Sequence, residues 1–170
     1  MPVVRVSHPQ GALTRAQKQQ LSSELTEVVL DAEVDAVTDN GRMVTVIQFL
    51  EAAADDWAVG GVLRSAMESP PNHFIVDVIV LQGLLEGERR RATHRRIAEA
   101  FERACGGSEG DPMLALRVWV LIHEVREGSW GAAGGTVSAL DVAQFLQPEL
   151  DASRRAEIGA AIASSPAASR

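Results

Sequence analysis

The sequence predicts an α/β (α+β) fold in which two tandem β-α-β units form one four-stranded sheet with two helices on one face, followed by a short C-terminal helix. Two observations carry this. The first is an internal repeat: Pro2-Val-Val-Arg-Val ahead of Gln10-Gly11 is echoed by Phe74-Ile-Val-Asp-Val ahead of Gln82-Gly83, displaced by 72 residues. The second half of each unit agrees as well. Glu51 and Trp57 return as Glu124 and Trp130, displaced by 73, and the closing Gly60-Gly61 returns as Gly134-Gly135, displaced by 74. The second observation is that each unit passes from a period-two pattern to a helical one and back.

In the first unit, alternation over residues 2–8 predicts a strand. Thr14-Arg-Ala-Gln17 is a capping box, and Leu21, Leu25, Val28 and Val29 follow as the apolar stripe of the helix it opens. Residues 43–50 are β-rich and predict the second strand. In the second unit, Phe74 to Leu81 is the strand and Arg89 to the Gly106-Gly107 stop is the helix, marked by Ile97, Phe101 and Ala104. Leu114 to Val125 returns as a strand. Connections of this length imply parallel pairing within each unit with a right-handed crossover. Residues 62–73 read as a linker, residues 151–163 as an Ala-rich helix, and the Ser-Ser-Pro-Ala-Ala-Ser tail as disordered. The expected organisation is one domain over residues 1–147, built from repeats 2–61 and 74–135, with residues 148–170 as helix and tail. Trp119, Leu121 and Ile122 make the last strand apolar on both faces, so oligomerisation through the sheet is the expected cover.

Composition narrows the function. Sixteen Lys plus Arg against 23 Asp plus Glu give a formal charge of −7, which argues against a nucleic-acid partner. No apolar run approaches the roughly 20 residues of a membrane helix, and the strand-like opening does not resemble a secretory signal. The expected location is cytoplasmic. Cys105 is the only cysteine, which excludes an internal disulfide and paired-cysteine zinc sites, and tyrosine is absent. His8 and His123 lack a second ligand at metal spacing, so no metal is assigned. Ser22, Ser23 and Cys105 lie in predicted helices without a base, which gives no nucleophilic triad. Glu51 and Glu124 recur in both halves and read as structural.

Pro2 is the sharpest chemical feature. Removal of Met1 before a small residue would leave a secondary amine at the amino terminus, and an apolar pocket would bring its pKa toward neutrality, where it serves as a general base. Taken by itself, a proline at this position also suits the start of an edge strand. With the Gly before a capped helix and the Glu-x5-Trp segment ending in Gly-Gly, the pattern resembles the tautomerase superfamily typified by 4-oxalocrotonate tautomerase. The tandem layout is similar to malonate semialdehyde decarboxylases and cis-3-chloroacrylate dehalogenases. The resemblance covers residues 2–61 and 74–135, with Asp55-Asp56-Trp57-Ala58-Val59-Gly60-Gly61 its most telling string.

That resemblance implies a homotrimer and a cofactor-free isomerase, a tautomerase of small enol or 2-oxo acids. Pro2 would be its base, Phe74 the silent counterpart in the second unit, and the substrate a small anion held by arginine. Short members carry Arg where this chain has Ala12-Leu13, and the dehalogenases carry two arginines near Leu84 to Arg91, of which Arg89 falls in register with one after a one-residue shift. Three arginines, Arg89 to Arg91, in a helix's first turn oppose the macrodipole, which a bound anion would explain, as would a solvated face paired with Glu86 and Glu88. On the last strand Arg117, Trp119, Leu121 and His123 share a face. Short members place a binding arginine at Trp119, and Arg117, one pleat away, would substitute. Trp57 and Trp130 align with the family's pocket aromatic, Trp130 being favoured because its unit carries the arginine cluster; core packing is the alternative for both. A hydratase, decarboxylase or dehalogenase with Pro2 as general acid is the enzymatic alternative. The dehalogenases' tyrosine aligns with Leu121 and their glutamate falls near Ala132, so neither water-activating group is present. A non-catalytic trimeric binding or scaffold protein is the alternative from another class.

Overall fold

The computed structural model describes residues 1–106, 111 and 113–164. The capping box forms as its residues dictate: the Thr14 hydroxyl accepts from the Gln17 backbone amide at 3.3 Å, and the Gln17 side-chain Oε1 accepts from the Thr14 backbone amide at 2.8 Å. It starts α1, Arg15–Val34, which buries Leu21, Leu25, Val28 and Val29 and stops where Asp35 turns left-handed at φ 56°. Strand β1, Val3–Pro9, precedes it, and β2, Val46–Ala52, follows. The second strand was expected to begin at residue 43. Residues 43–44 instead end a short helix, α2, Asp39–Val44, whose Thr38 hydroxyl caps the Gly41 amide.

The second unit repeats this plan with β5, Phe74–Leu81, helix α3, Gly87–Cys105, and β6, Val118–Val125. Between the units Trp57 is followed by a two-strand hairpin, β3 Ala58–Val59 and β4 Val62–Leu63; after β6 the equivalent hairpin is β7 Gly131–Ala132 and β8 Gly135–Thr136. Residues 62–73 are therefore more than a linker: Arg64 also donates to the Pro71 carbonyl and to Asn72 Oδ1, fixing the path into β5. Residues 115–117, expected at the start of the last strand, form a 3₁₀ turn. Helix α4, Ala139–Leu146, was not expected. A Ser138/Asp141 capping box starts it, and it buries Ala139, Val142, Ala143 and Leu146. Helix α5 spans Ala152–Ser164, and residues 165–170 and Gly107 lie outside the described residues.

The sheet order is β2-β1-β5-β6. Pairing is parallel within each unit, and β1 and β5 meet antiparallel at the centre. This pairing relates the two units by an approximate twofold rotation, which keeps α1 and α3 side by side on one face. Val4, Val6, Val76, Val78 and Phe101 fill the space between sheet and helices, fully buried. Each such side chain stabilises the fold by about 1.5–3 kcal/mol. Register puts Val46, Leu50, Ile75, Ile79, Trp119 and Leu121 on the opposite face, where Trp119 and Leu121 are 56% and 48% exposed. Ile122 turns the other way and packs against the core. Helices α4 and α5 leave that open face uncovered. They instead close one end of the sheet, in a second apolar cluster with Leu30, Val34, Leu81 and Leu84. Among the described residues no helix is long and apolar enough to cross a membrane.

The repeat is visible in atoms. Gly11 and Gly83 make the same left-handed turn at φ 77° and 86°. Lys18, in the first turn of α1, pairs with Glu51 at 2.5 Å; Arg90, at the matching place in α3, pairs with Glu124 at 3.0 Å. The Trp57 carbonyl accepts from Arg64 at 2.8 Å and the Trp130 carbonyl from Val137 at 3.0 Å. One alignment changes. The hairpins match Gly60-Gly61 with Ala133-Gly134, not with Gly134-Gly135, because Ala133 at φ 51° occupies the left-handed position that Gly60 holds at 61°.

Candidate active site

Pro2 is buried at the head of β1, on the inner edge of the sheet end that α4 and α5 close. Its carbonyl accepts from the Val46 amide at 3.2 Å, which fixes the backbone against the start of β2. Met1, the residue before Pro2, lines a cavity of about 370 Å³ together with Val44, Val137, Asp141, Val142 and Phe145. Trp130, half-buried, packs against the second apolar cluster, as do Met1, Val44 and Val137. The geometry follows from local structure: the β7–β8 hairpin turns the chain back at Trp130, and the Ser138 cap then starts α4 across the sheet end. The Thr38 hydroxyl, donating to the Leu146 carbonyl, ties α2 to α4.

The amine of Met1, the residue before Pro2, stands 3.7 Å from Glu33 Oε2. Burial lowers the amine's pKa, with the Glu33 charge opposing, and raises that of Glu33. Asp141 has its pKa lowered by hydrogen bonds from Ser138, whose amide and hydroxyl it accepts.

The arginines stand elsewhere. Arg89 makes a two-pronged pair with Asp35 at 2.7 and 2.8 Å, donates to the Ala32 carbonyl at 3.2 Å and reaches Glu157 at 3.4 Å. Its pKa is raised, chiefly by hydrogen bonding to Asp35. It braces α3 against the end of α1 and against α5. Arg90 donates to the Leu85 carbonyl and pairs with Glu124, and Arg91 pairs with Glu88, so carboxylates offset the three cations that oppose the helix dipole. Arg117 pairs with Asp111 in the turn before β6. Val118, next to it, is in register with Phe74, whereas Val3, next to Pro2, is in register with Ile79. Arg117 and Pro2 therefore occupy opposite ends of the sheet. Trp57 lies at the Arg117 end, lining a separate cavity of about 300 Å³ with His73, Ile75 and Trp119. Of the sequence candidates, Trp130 is the one that shares a cluster with the Pro2 end.

Elsewhere the helices hold inert groups. Ser22 donates to the Lys18 carbonyl, and burial pushes the Cys105 thiol up to about 11, out of nucleophilic range at neutral pH. Sequence reasoning missed Glu33, Asp141 and Phe145. Glu33 had a signal: it follows Leu25 and Val29 at four-residue spacing, a carboxylate on an apolar stripe.

No protein-family model matches the chain, and no curated protein matches it. Solved structures do. A native fused 4-OT superposes with a TM-score of 0.63 at 20% identity, over 79% of this chain and 94% of that one. N1, a member of the cis-3-chloroacrylic acid dehalogenase (cis-CaaD) family, gives 0.65 at 14% identity over 93% and 99%. A fused 4-OT designated Q0, a symmetric trimer, gives 0.60 at 21% identity over 82% and 98%. The repeat, the sheet order and these superpositions agree: the chain has the same fold as the fused 4-OT and cis-CaaD-family structures.

Proposed function

We propose that this chain is a cofactor-free keto–enol tautomerase acting on a small enol or 2-oxo acid, with the Pro2 nitrogen as general base once Met1 is removed. The observation that carries the reading is the position of Pro2: buried at the head of a central strand, next to Met1, which lines an apolar cavity built from α4 and a hairpin. Loss of Met1 frees a secondary amine and empties the volume Met1 fills in the cavity wall. In that setting the ammonium form is disfavoured, so the nitrogen takes the enol proton at neutral pH and returns it to the far carbon. Trp130 keeps water from the base.

For the substrate carboxylate the candidates remain Arg89 and Arg117. Arg89 engages an acid only by releasing Asp35, and Arg117 reaches a Pro2 site only from a neighbouring copy. Similar fused 4-OT structures are trimers, and a homotrimer that buries Trp119 and Leu121 supplies such a neighbour. That both arginines already hold carboxylates favours a second reading, a scaffold that kept the fold without the chemistry. The experiment is ultraviolet-monitored ketonisation of phenylenolpyruvate by protein whose intact mass lacks Met1. Pro2→Ala is expected to lose about 10²–10⁴-fold in turnover. Unchanged turnover in Pro2→Ala overturns the mechanism, and retention of Met1 supports the scaffold.

A further inference from the structure

Glu33 has no exposed surface, and neither of its carboxylate oxygens has a hydrogen-bond partner among the described residues. An ion in that state costs several kcal/mol unless a partner offsets it. On the apolar stripe of α1 a leucine would pack without that cost, so the carboxylate calls for a specific partner. The charges around it identify one. From α5, Arg154 spends its donors on the Glu33 and Leu84 carbonyls and on Glu157. From α3, Arg89 goes to Asp35 and the Ala32 carbonyl. From α4, Asp141 is a like charge held by its own cap. Among the described residues the Met1 amine, 3.7 Å from Oε2, is the cation that faces the carboxylate, and removal of Met1 passes that place to the nitrogen next along the chain, that of Pro2.

We propose that Glu33 is a positioning residue for the terminal proline, its carboxyl taking one N–H of the secondary ammonium and turning the other toward the cavity. The inference rests on the reading of Pro2 as the mature amino terminus. A secondary ammonium has two N–H groups, so a carboxylate holding one leaves the other as the proton exchanged with substrate, and its departure aims the lone pair into the cavity. The pair is neutral as a unit, which lessens the cost of burying either member. The carboxylate also sustains the amine's proton affinity against the fall that burial causes.

The test uses full-length protein labelled with ¹⁵N-proline, Met1 loss being checked by intact mass, because a terminal proline nitrogen titrates and the amide ones do not. In Glu33→Gln the midpoint of that nitrogen is expected to fall by about one pH unit or more, and the acidic limb of kcat/KM to move down with it. Glu33→Asp is expected to restore part of the shift. If Glu33→Gln does not fold, the wild type decides: the Glu33 carboxyl ¹³C signal must show an inflection at the pH where the amine titrates. A midpoint unmoved by Glu33→Gln, or a carboxyl inflection independent of the amine, overturns the positioning role. Pro2-dependent turnover with an unmoved midpoint overturns that role alone; a moved midpoint without turnover overturns the tautomerase reading alone; retained Met1 overturns both.

Discussion

The two ends of the sheet are built from the same parts and finished differently. Each has a left-handed glycine turn into its helix, a cation from that helix on a strand glutamate, and a tryptophan leading a short hairpin. At one end Met1 and Pro2 lead into the strand under α4 and α5, with the Met1 amine 3.7 Å from the buried Glu33. At the other the chain runs on through His73 into Phe74, and the cavity there is aromatic, between Trp57 and Trp119, with His73 Nδ1 buried and lacking a hydrogen-bond partner among the described residues. The repeat thus supplies two frames, and different segments finish them. On the proposed reading, the equivalent positions Pro2 and Phe74 answer to chemistry in one case and to packing in the other.

Substitutions at paired positions test that division. The largest expected effect on stability is at Phe74, fully buried with its ring 4.9 Å from that of Phe101. Phe74→Ala is expected to cost about 3–5 kcal/mol in denaturant unfolding, while turnover per folded molecule stays within a few-fold, the reverse of the Pro2→Ala pattern. Loss of turnover in fully folded Phe74→Ala would break the comparison.

A smaller effect concerns His8, which the repeat pairs with Val80. His8 is buried, its Nδ1 2.9 Å from the Pro9 carbonyl, and burial lowers its pKa below 6.5. Below pH 6.5 the unfolded chain takes a proton that the folded ring refuses, so stability complete above that pH is lost as pH falls toward the folded value. Thermal unfolding of wild type minus His8→Val between pH 7 and 5 is expected to show this decline, and a flat difference would refute it. The smallest effect is in the hairpin turns. Ala133→Gly, matching Gly60, is expected to stabilise by about 1 kcal/mol because an alanine Cβ is strained at φ 51°, and Gly60→Ala to lose about as much.

Repeat, main strands and both long helices are legible in the sequence because their signals are local: alternation in β1, the Thr14 box and apolar stripe of α1, the glycine turns. Helix α4 also carries its signal, Ser138-x-x-Asp141 with Ala139, Val142, Ala143 and Leu146, but eight residues beside a glycine-rich hairpin give a short pattern. The arginines fail for a different reason. Whether Arg89 is free to hold a substrate depends on Asp35, 54 residues away, and on Glu157, 68 away. No pattern along the chain reports such a pairing. Glu33 is the converse case, visible as an acid among apolar neighbours while the cation nearest it is the Met1 amine, just ahead of β1.

Arg154 gives the terminus a long-range dependence. Its guanidinium donates to the Glu33 carbonyl, 121 residues earlier, and at 2.6 Å to that of Leu84. The last helix, which has no copy in the repeat, therefore holds the backbone from which Glu33 projects. On the proposed reading of Pro2 and Glu33, drift in that unduplicated segment would be felt at the Pro2 nitrogen, whose proton affinity changes in α5 would then tune without touching either repeat.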